Sequence, residues 1–302
     1  MPKIVVVGSS NTDMVVKTER FPKPGETILG GEFFMFPGGK GANQAVAAAR
    51  AGGEVAFICC VGDDLFGQNA LKGYQKEGID VSSAKIVENE PSGVALITVN
   101  GQGENEIVVA SGTNAFLSPE YLKTQEAIFL AGDIFLTQLE TPLETVSFLA
   151  EKCRQQGKKL IINPAPAQKL DDAVLDGLFL ITPNETETQI LTGVEVVDET
   201  SMKKAGDVLL QKGVRHVIMT LGSRGSFFMD KTDNFIVPSP KVEAQDTTAA
   251  GDVFNGVLTV CLAEGKDFKE SMAYASRAAA ISVTRMGAQD TAPRIEEINQ
   301  FH

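Results

Sequence analysis

At 302 residues, with 43% hydrophobic and 22% charged residues, the chain has the profile of a folded globular protein, one large domain with room for an appendage. A net charge of −12 leaves no general basic face for nucleic acid or an anionic membrane, so a phosphorylated ligand would need local N–H donors and a divalent cation. No stretch approaches the ~18 apolar residues of a membrane span, and Met1-Pro2-Lys3-Ile4 leads into a strand pattern rather than a signal peptide, so a cytoplasmic location is expected.

Lys3-Ile4-Val5-Val6-Val7-Gly8 is a continuous apolar run closed by glycine, the pattern of a strand buried on both faces of a parallel sheet. Ser9-Ser10-Asn11-Thr12-Asp13 follows at the strand end where open α/β sheets bind ligands. Asn11 offers a donor and an acceptor and Asp13 only acceptors, which suits neighbouring sugar hydroxyls and equally an Asx turn. Residues 13–18 and 27–29 are β-like around the turn Phe21-Pro22-Lys23-Pro24-Gly25, and Phe33-Phe34-Met35-Phe36 adds an apolar cluster. Together with residues 93–100 and 104–110 they predict a small sheet outside the main domain. Its apolar face is expected both to cover the site and to form a homodimer contact.

Gly38-Gly39-Lys40-Gly41-Ala42-Asn43-Gln44 opens an Ala-rich helix that ends at Gly52-Gly53. Helix punctuation accounts for the glycines but not for the cation and amide beside them. Gly39, Lys40, Gly41 and Asn43 are therefore read as a site for a polar small molecule. Strands are expected at 55–61, 133–138 and 160–162, with helices at 64–78 and 119–130. Leu143, Val146, Leu149 and Cys153 recur at helical spacing. Glu140 lies past a strand end, in the same crevice as Asn11 and Asp13. The alternation predicts an α/β fold, a central, mostly parallel sheet flanked by helices on both faces.

Thr182-Pro183-Asn184-Glu185-Thr186-Glu187 carries a strand into a helix, with Asn184 and Glu187 on one helix face. That pair can cap the helix or act as outer-shell partners of a hydrated magnesium ion. A strand at 214–219 hands over to Thr220-Leu221-Gly222-Ser223-Arg224-Gly225, a turn with the freedom to lie along a nucleotide. Strands at 226–229 and 234–237 precede Asp246-Thr247-Thr248-Ala249-Ala250-Gly251-Asp252. Here small residues let the amides of Ala249, Ala250, Gly251 and Asp252 point one way at a helix N-terminus. Such a terminus carries unpaired N–H groups and roughly half a unit of positive charge, which favour an anion. Asp252 sets a carboxylate beside that anion hole, able to deprotonate a hydroxyl while a phosphoryl group is steadied; a merely capped helix start is the plainer alternative. A last long helix is expected at 268–285.

His216 and His302 are the only histidines, and His216 lies in an apolar run, so neither a Ser-His-Asp triad nor a His/Cys zinc site is expected. Cys59, Cys60, Cys153 and Cys261 show no framework spacing and are expected to be reduced. There is no G-x-x-x-x-G-K-[ST] loop and no G-x-G-x-x-G after a strand. A nucleotide must therefore bind by another route, and a dinucleotide-dependent dehydrogenase is unsupported.

Asn11-x-Asp13, the run at 38–44, Thr182-Pro183-Asn184-x-x-Glu187, Thr220-Leu221-Gly222-x-x-Gly225, the run at 246–252 and Thr284-Arg285-x-Gly287-Ala288 occur in this order along the chain. The set resembles the phosphofructokinase-B-type family of sugar kinases. The resemblance implies an α/β nucleotide- and sugar-binding domain of residues 1–12, 38–91 and 111–302. It implies a discontinuous β lid of residues 13–37 and 92–110 through which two copies dimerise. It also implies transfer of the γ-phosphoryl group of ATP to the 5-hydroxyl of D-ribose.

On the same resemblance, Asp252 is the general base and Ala249, Ala250 and Gly251 supply anion-hole amides. Asn11, Asp13, Gly39, Lys40, Gly41, Asn43 and Glu140 hold the sugar. Asn184, Thr220, Gly222, Ser223, Gly225, Gly251 and Ser276 touch ATP, and Asn184 and Glu187 act on Mg2+ through water. Asp246, Thr248, Ser282, Arg285, Gly287 and Thr291 form a K+ site, largely through backbone oxygens. Gln289-Asp290-Thr291 stands where the ribose-phosphorylating members usually read Gln-Pro-Ser, and Ala249 replaces a glycine of many other members. Fructose, deoxyribose or a nucleoside would use the same phosphate-side residues, though the absence of Trp and the three Tyr speak against base stacking. A non-catalytic sugar or nucleotide sensor would have no need of Asp252.

Overall fold

The apolar run after Lys3 forms a strand whose residues Val5 and Val6 have no exposed surface. In the computed structural model, which describes residues 3–301, this strand lies inside an eight-stranded sheet. Expectations attached to Met1, Pro2 and His302 lie outside the described residues. The spatial order is Asn234–Val237, Ser226–Met229, His216–Thr220, Leu180–Ile181, Lys159–Ile162, Ile134–Thr137, Lys3–Val7 and Glu54–Ile58. All pairs from Glu54–Ile58 to His216–Thr220 are parallel, and the last two strands pair antiparallel. This is the mixed α/β architecture expected from the alternation of strand and helix patterns.

Alternate residues of the first strand feed two cores. Ile4 and Val6 pack with the helices Lys40–Arg50, Ala250–Ala263 and Phe268–Ser282, through residues such as Val46, Val257 and Ala275. Val5 and Val7 pack on the other face with Leu143–Gln155 and Glu199–Gln211, through Leu149 and Leu209. The chain leaves Lys3–Val7 for Glu54–Ile58 on one side and later adds Ile134–Thr137 on the other. The strand order reverses there, so the crevice beyond Val7 and Thr137 is a topological switch point.

A separate four-stranded sheet has the order Glu32–Gly38, Asn11–Lys17, Gly93–Val99 and Asn105–Ala110. Its central strand starts at Asn11, which faces Gly38 on one side and Gly93 on the other, so the sheet grows directly out of the crevice. Phe33, Met35, Leu96, Ile107 and Val108 of this sheet are exposed. Pro37 is accommodated because Glu32–Gly38 is an edge strand.

Several local expectations need correction. Residues 27–29 are not a strand: Leu29 is 96% exposed, and Gly30 and Gly31 adopt positive φ before pairing starts at Glu32. The run at 55–61 breaks at Cys59, and Cys60–Gly62 pairs instead with Lys85–Val87 in a two-stranded sheet. The helix expected at 119–130 is two short ones, Pro119–Lys123 and Glu126–Ala131, because the amides of Thr124 and Gln125 turn back tightly onto Tyr121 and Leu122. The last long helix stops at Ser282 rather than 285. His216 is structural, as expected: its Nδ1 bonds to the Phe179 carbonyl at 2.8 Å, and burial lowers its pKa. All four cysteines are buried and free. Among the described residues no helix is long and apolar enough to cross a membrane.

Candidate active site

The crevice is built by close backbone approach. A side chain at Gly41 would meet the amide nitrogen of Ser9 at 2.5 Å and the Cα of Gly8 at 2.7 Å, so the helix Lys40–Arg50 starts hard against the end of the first strand. Gly39 caps that helix at φ 89, a conformation that suits glycine. Glu140, just past its strand, then reaches the helix terminus. Its Oε2 accepts from the Lys40 amide at 3.0 Å and from Ser9 Oγ at 2.6 Å, while Lys40 Nζ lies 3.7 Å from Oε1.

Asp252 sits in the first turn of Ala250–Ala263 and is 7% exposed. Asn43 Nδ2 donates to its Oδ2 and Gln44 Nε2 to its Oδ1, each at 2.9 Å. Burial raises its pKa, opposed by the Lys40 charge and the two amide donors. Asp13 is pushed up to about 6 by burial and by the carboxylates of Glu140 and Asp252, against the pull of Lys40. Burial works against the charge on Lys40, but Asp252, Glu140 and Glu187 prevail and raise its pKa. Asp13, Lys40, Asn43, Glu140 and Asp252 thus form one electrostatically coupled group. Asn11 joins it at the base of the outer sheet, with its Oδ1 accepting from Asn114 Nδ2 at 2.7 Å. A side chain at Gly38 would run into the Asp13 carboxylate, and one at Gly93 into Asn11 Oδ1.

On the other side of the Ala250 helix terminus lies a cavity of about 830 Å³. Asn184, Thr220, Gly222, Ser223, Gly225, Gly251 and Ser276 all line it, together with Ala250, Phe254 and Lys241. The size and mixed lining suit a nucleotide. Ala249, at φ 59, turns the chain into the helix. The Ala250 amide leans back on the Thr247 carbonyl at 3.3 Å, whereas among the described residues no acceptor is recorded for the amides of Gly251 and Asp252. The Ala249 amide likewise has no recorded acceptor, so three amides at this terminus are unpaired among the described residues.

Asn184 and Glu187 form the capping box: Asn184 Oδ1 accepts from the Glu187 amide and Glu187 Oε2 from the Asn184 amide, both at 2.8 Å. Capping is therefore realised, and it leaves Glu187 Oε1 and Asn184 Nδ2 free of that box. Burial raises the Glu187 pKa. Among the described residues no group of three or more His, Cys, Asp or Glu could cage a metal ion. The donor set thus fits only a magnesium ion that keeps its waters and phosphate ligands.

For the K+ residues, Asp246 spends its carboxylate on the amides of Thr248 at 2.9 Å and Gly287 at 3.1 Å, which ties the loop before Ala250 to the loop after Ser282. The carbonyls of Asp246, Thr248, Arg285 and Gly287 accept no recorded hydrogen bond among the described residues, which fits a hard cation. The Thr291 carbonyl accepts from the Arg285 guanidinium at 3.4 Å, and the Ser282 carbonyl from the Arg285 amide at 3.1 Å.

The pfkB family carbohydrate kinase model matches residues 1–295. The chain belongs to that family. A ribokinase of Haemophilus influenzae is 46% identical over 298 residues, covering 99% of this chain and 97% of that protein. A deoxyribokinase of Salmonella typhi is 37% identical over 299 residues, covering 99% and 98%. The solved structure of Arabidopsis thaliana ribokinase complexed with ribose and ATP superposes with a TM-score of 0.93 at 30% identity, covering 99% of this chain and 98% of that one.

In this carbohydrate kinase, sequence reasoning left several buried polar residues without a role. Gln44, Gln138 and Asn163 contact Asp252 directly or through one another, and Asn114 holds Asn11. Gln138 and Asn163 each lie one residue past a strand, after Thr137 and Ile162. The positional rule that singled out Asn11 and Glu140 would have found them too.

Proposed function

We propose that this chain transfers the γ-phosphoryl group of ATP to the 5-hydroxyl of D-ribose, giving D-ribose 5-phosphate and ADP, as a cytoplasmic homodimer. The observation that carries the reading is the position of the Ala250 helix terminus. Gly251 lines the nucleotide-sized cavity, while the next residue, Asp252, turns its carboxylate to the Lys40 helix. Acceptor and donor sites thus meet across one peptide unit.

Phosphoryl transfer demands alignment and charge stabilisation more than covalent help from the protein. Asp252 takes the hydroxyl proton as the new O–P bond forms and the bond to the departing ADP breaks. The amides of Gly251 and Asp252 stabilise the charge that builds on the transferred group. Asn11, Asp13, Gly39, Lys40, Gly41, Asn43 and Glu140 hold the sugar, with Glu140 and Asp13 as acceptors and Lys40 as donor. Asn184, Thr220, Gly222, Ser223, Gly225 and Ser276 hold ATP. Asn184 and Glu187 orient waters of a magnesium ion, which would neutralise phosphate charge when bound. Asp246, Thr248, Ser282, Arg285, Gly287 and Thr291 would hold K+, largely through backbone oxygens, and the ion would brace the loop before Ala250.

We read the outer sheet, residues 13–37 and 92–110, as a lid on the α/β domain of residues 1–12, 38–91 and 111–302. Closure excludes water, which would otherwise compete for the phosphoryl group. Its exposed apolar residues, Phe33, Met35 and Val108 among them, support pairing with a second copy.

The test is ADP release from Mg-ATP across D-ribose, 2-deoxy-D-ribose, D-fructose and nucleosides. The highest kcat/KM is expected with D-ribose. Preference for deoxyribose or another acceptor overturns the substrate, and no ADP release with any acceptor points to a sensor.

A further inference from the structure

Gln44 is fully buried on the Lys40–Arg50 helix. Its Nε2 donates to Asp252 Oδ1 at 2.9 Å and to Asn163 Oδ1 at 3.0 Å, and its Oε1 accepts from Gln138 Nε2 at 2.6 Å. A primary amide has donors at one end and an acceptor at the other. Flipping Gln44 would set two acceptor oxygens against its carbonyl and a donor against its NH2 group, so only one orientation satisfies all three partners. Asn163 is oriented in turn by its own Nδ2, which donates to the Thr182 carbonyl at 3.3 Å. Gln138 and Asn163 stand at the carboxyl ends of adjacent strands, so the rim of the sheet fixes the Gln44 amide.

We propose that Gln44, locked by Gln138 and Asn163, is a positioning residue that holds the Asp252 carboxylate in its proton-accepting form and direction. This rests on the reading of Asp252 as the general base. Burial alone disfavours a carboxylate. Around Asp252, the positive Lys40 favours ionisation, and Glu140, Asp13 and Glu187 oppose it. Asn43 Nδ2 donates to Oδ2 at 2.9 Å. Gln44 has no exposed surface, whereas Asn43 and Asp252 each keep 7%. Removing Gln44 leaves a buried carboxylate with one charge-stabilising hydrogen bond fewer and one oxygen free to turn.

The test compares Gln44→Leu, Gln138→Leu and Asp252→Asn with the unaltered protein. It records kcat at saturating D-ribose and Mg-ATP from pH 5 to 9, with thermal melting as the check on folding. Saturating sugar removes the weakening of binding that follows protonation of Asp13. Gln44→Leu is expected to move the acid limb of kcat upward by about one pH unit. Gln138→Leu keeps both Asp252 hydrogen bonds but frees the Gln44 amide to flip, and should move the limb the same way by less. A cooperatively folded Gln44→Leu whose limb stays in place overturns the proposal, even if its rate is lower at every pH. If Gln44→Leu does not fold, Gln138→Leu decides on the same criterion. If Asp252→Asn keeps normal turnover, it is the assignment of the base that falls, a different outcome from an unmoved limb.

Discussion

Glu140 and Lys40 are joined twice: the Glu140 carboxylate accepts the Lys40 backbone amide at 3.0 Å and pairs with its ammonium at 3.7 Å. One acid thus caps the helix that carries Lys40 and Asn43 and sets the charge beside them. Glu140→Gln keeps the shape and an acceptor while removing the charge. It should raise KM for the sugar about 10- to 100-fold with little change in kcat. Glu140→Ala also strands the buried donors of Ser9 and Lys40, and should cost about 1–3 kcal/mol of stability in denaturant unfolding.

Asp13 gives a pH signature. Its pKa is about 6, so below that pH it becomes a hydroxyl donor and loses acceptor capacity. KM for the sugar should rise about tenfold by one unit below the pKa, while KM for ATP stays level. For stability the sign is opposite. A raised pKa means the folded state holds the proton more tightly than the unfolded chain, so stability is gained as pH falls through 6 toward the unfolded pKa, and above 6 the buried charge costs stability. Asp13→Asn should therefore raise the Tm of the sugar-free protein at neutral pH while weakening sugar binding.

Gly41 tests the close approach of helix and strand. A methyl group there meets Ser9 and Gly8 backbone atoms that cannot yield without moving the first strand. Gly41→Ala should destabilise the fold by about 1–3 kcal/mol, measured by urea unfolding, and should weaken sugar binding in parallel.

The cation reading is tested by exchange. With K+ present the rate should exceed that in Na+, and both should exceed that in tetramethylammonium, at constant ionic strength. Equal rates in all three would remove the K+ site. Asp246→Ala, which unties the Thr248 and Gly287 amides, should lower the rate and its dependence on K+ together.

What the sequence revealed and what it hid divide along physical lines. Lys3–Val7 and Ser226–Met229 were legible because burial on a sheet writes itself into adjacent residues. The motif residues fall at strand ends and helix starts, where backbone chemistry leaves unpaired groups; position placed Asn11, Asp13 and Glu140 in one crevice, and the family resemblance added Asp252. Residues 27–29 misled because β propensity without a partner strand does not make a strand. Gln44, Gln138 and Asn163 were invisible as a set. Each is an ordinary amide until the fold brings positions 44, 138 and 163 onto position 252.

The proton acceptor is the centre of the account, and Asp252→Asn tests it with almost no change of shape. The decisive measurement is single-turnover formation of D-ribose 5-phosphate from enzyme preloaded with Mg-ATP. The variant should fold, bind ATP as the unaltered protein does and lose roughly 10²- to 10⁴-fold in rate. A rate within a few-fold of the unaltered protein would mean that another group, or none, removes the proton.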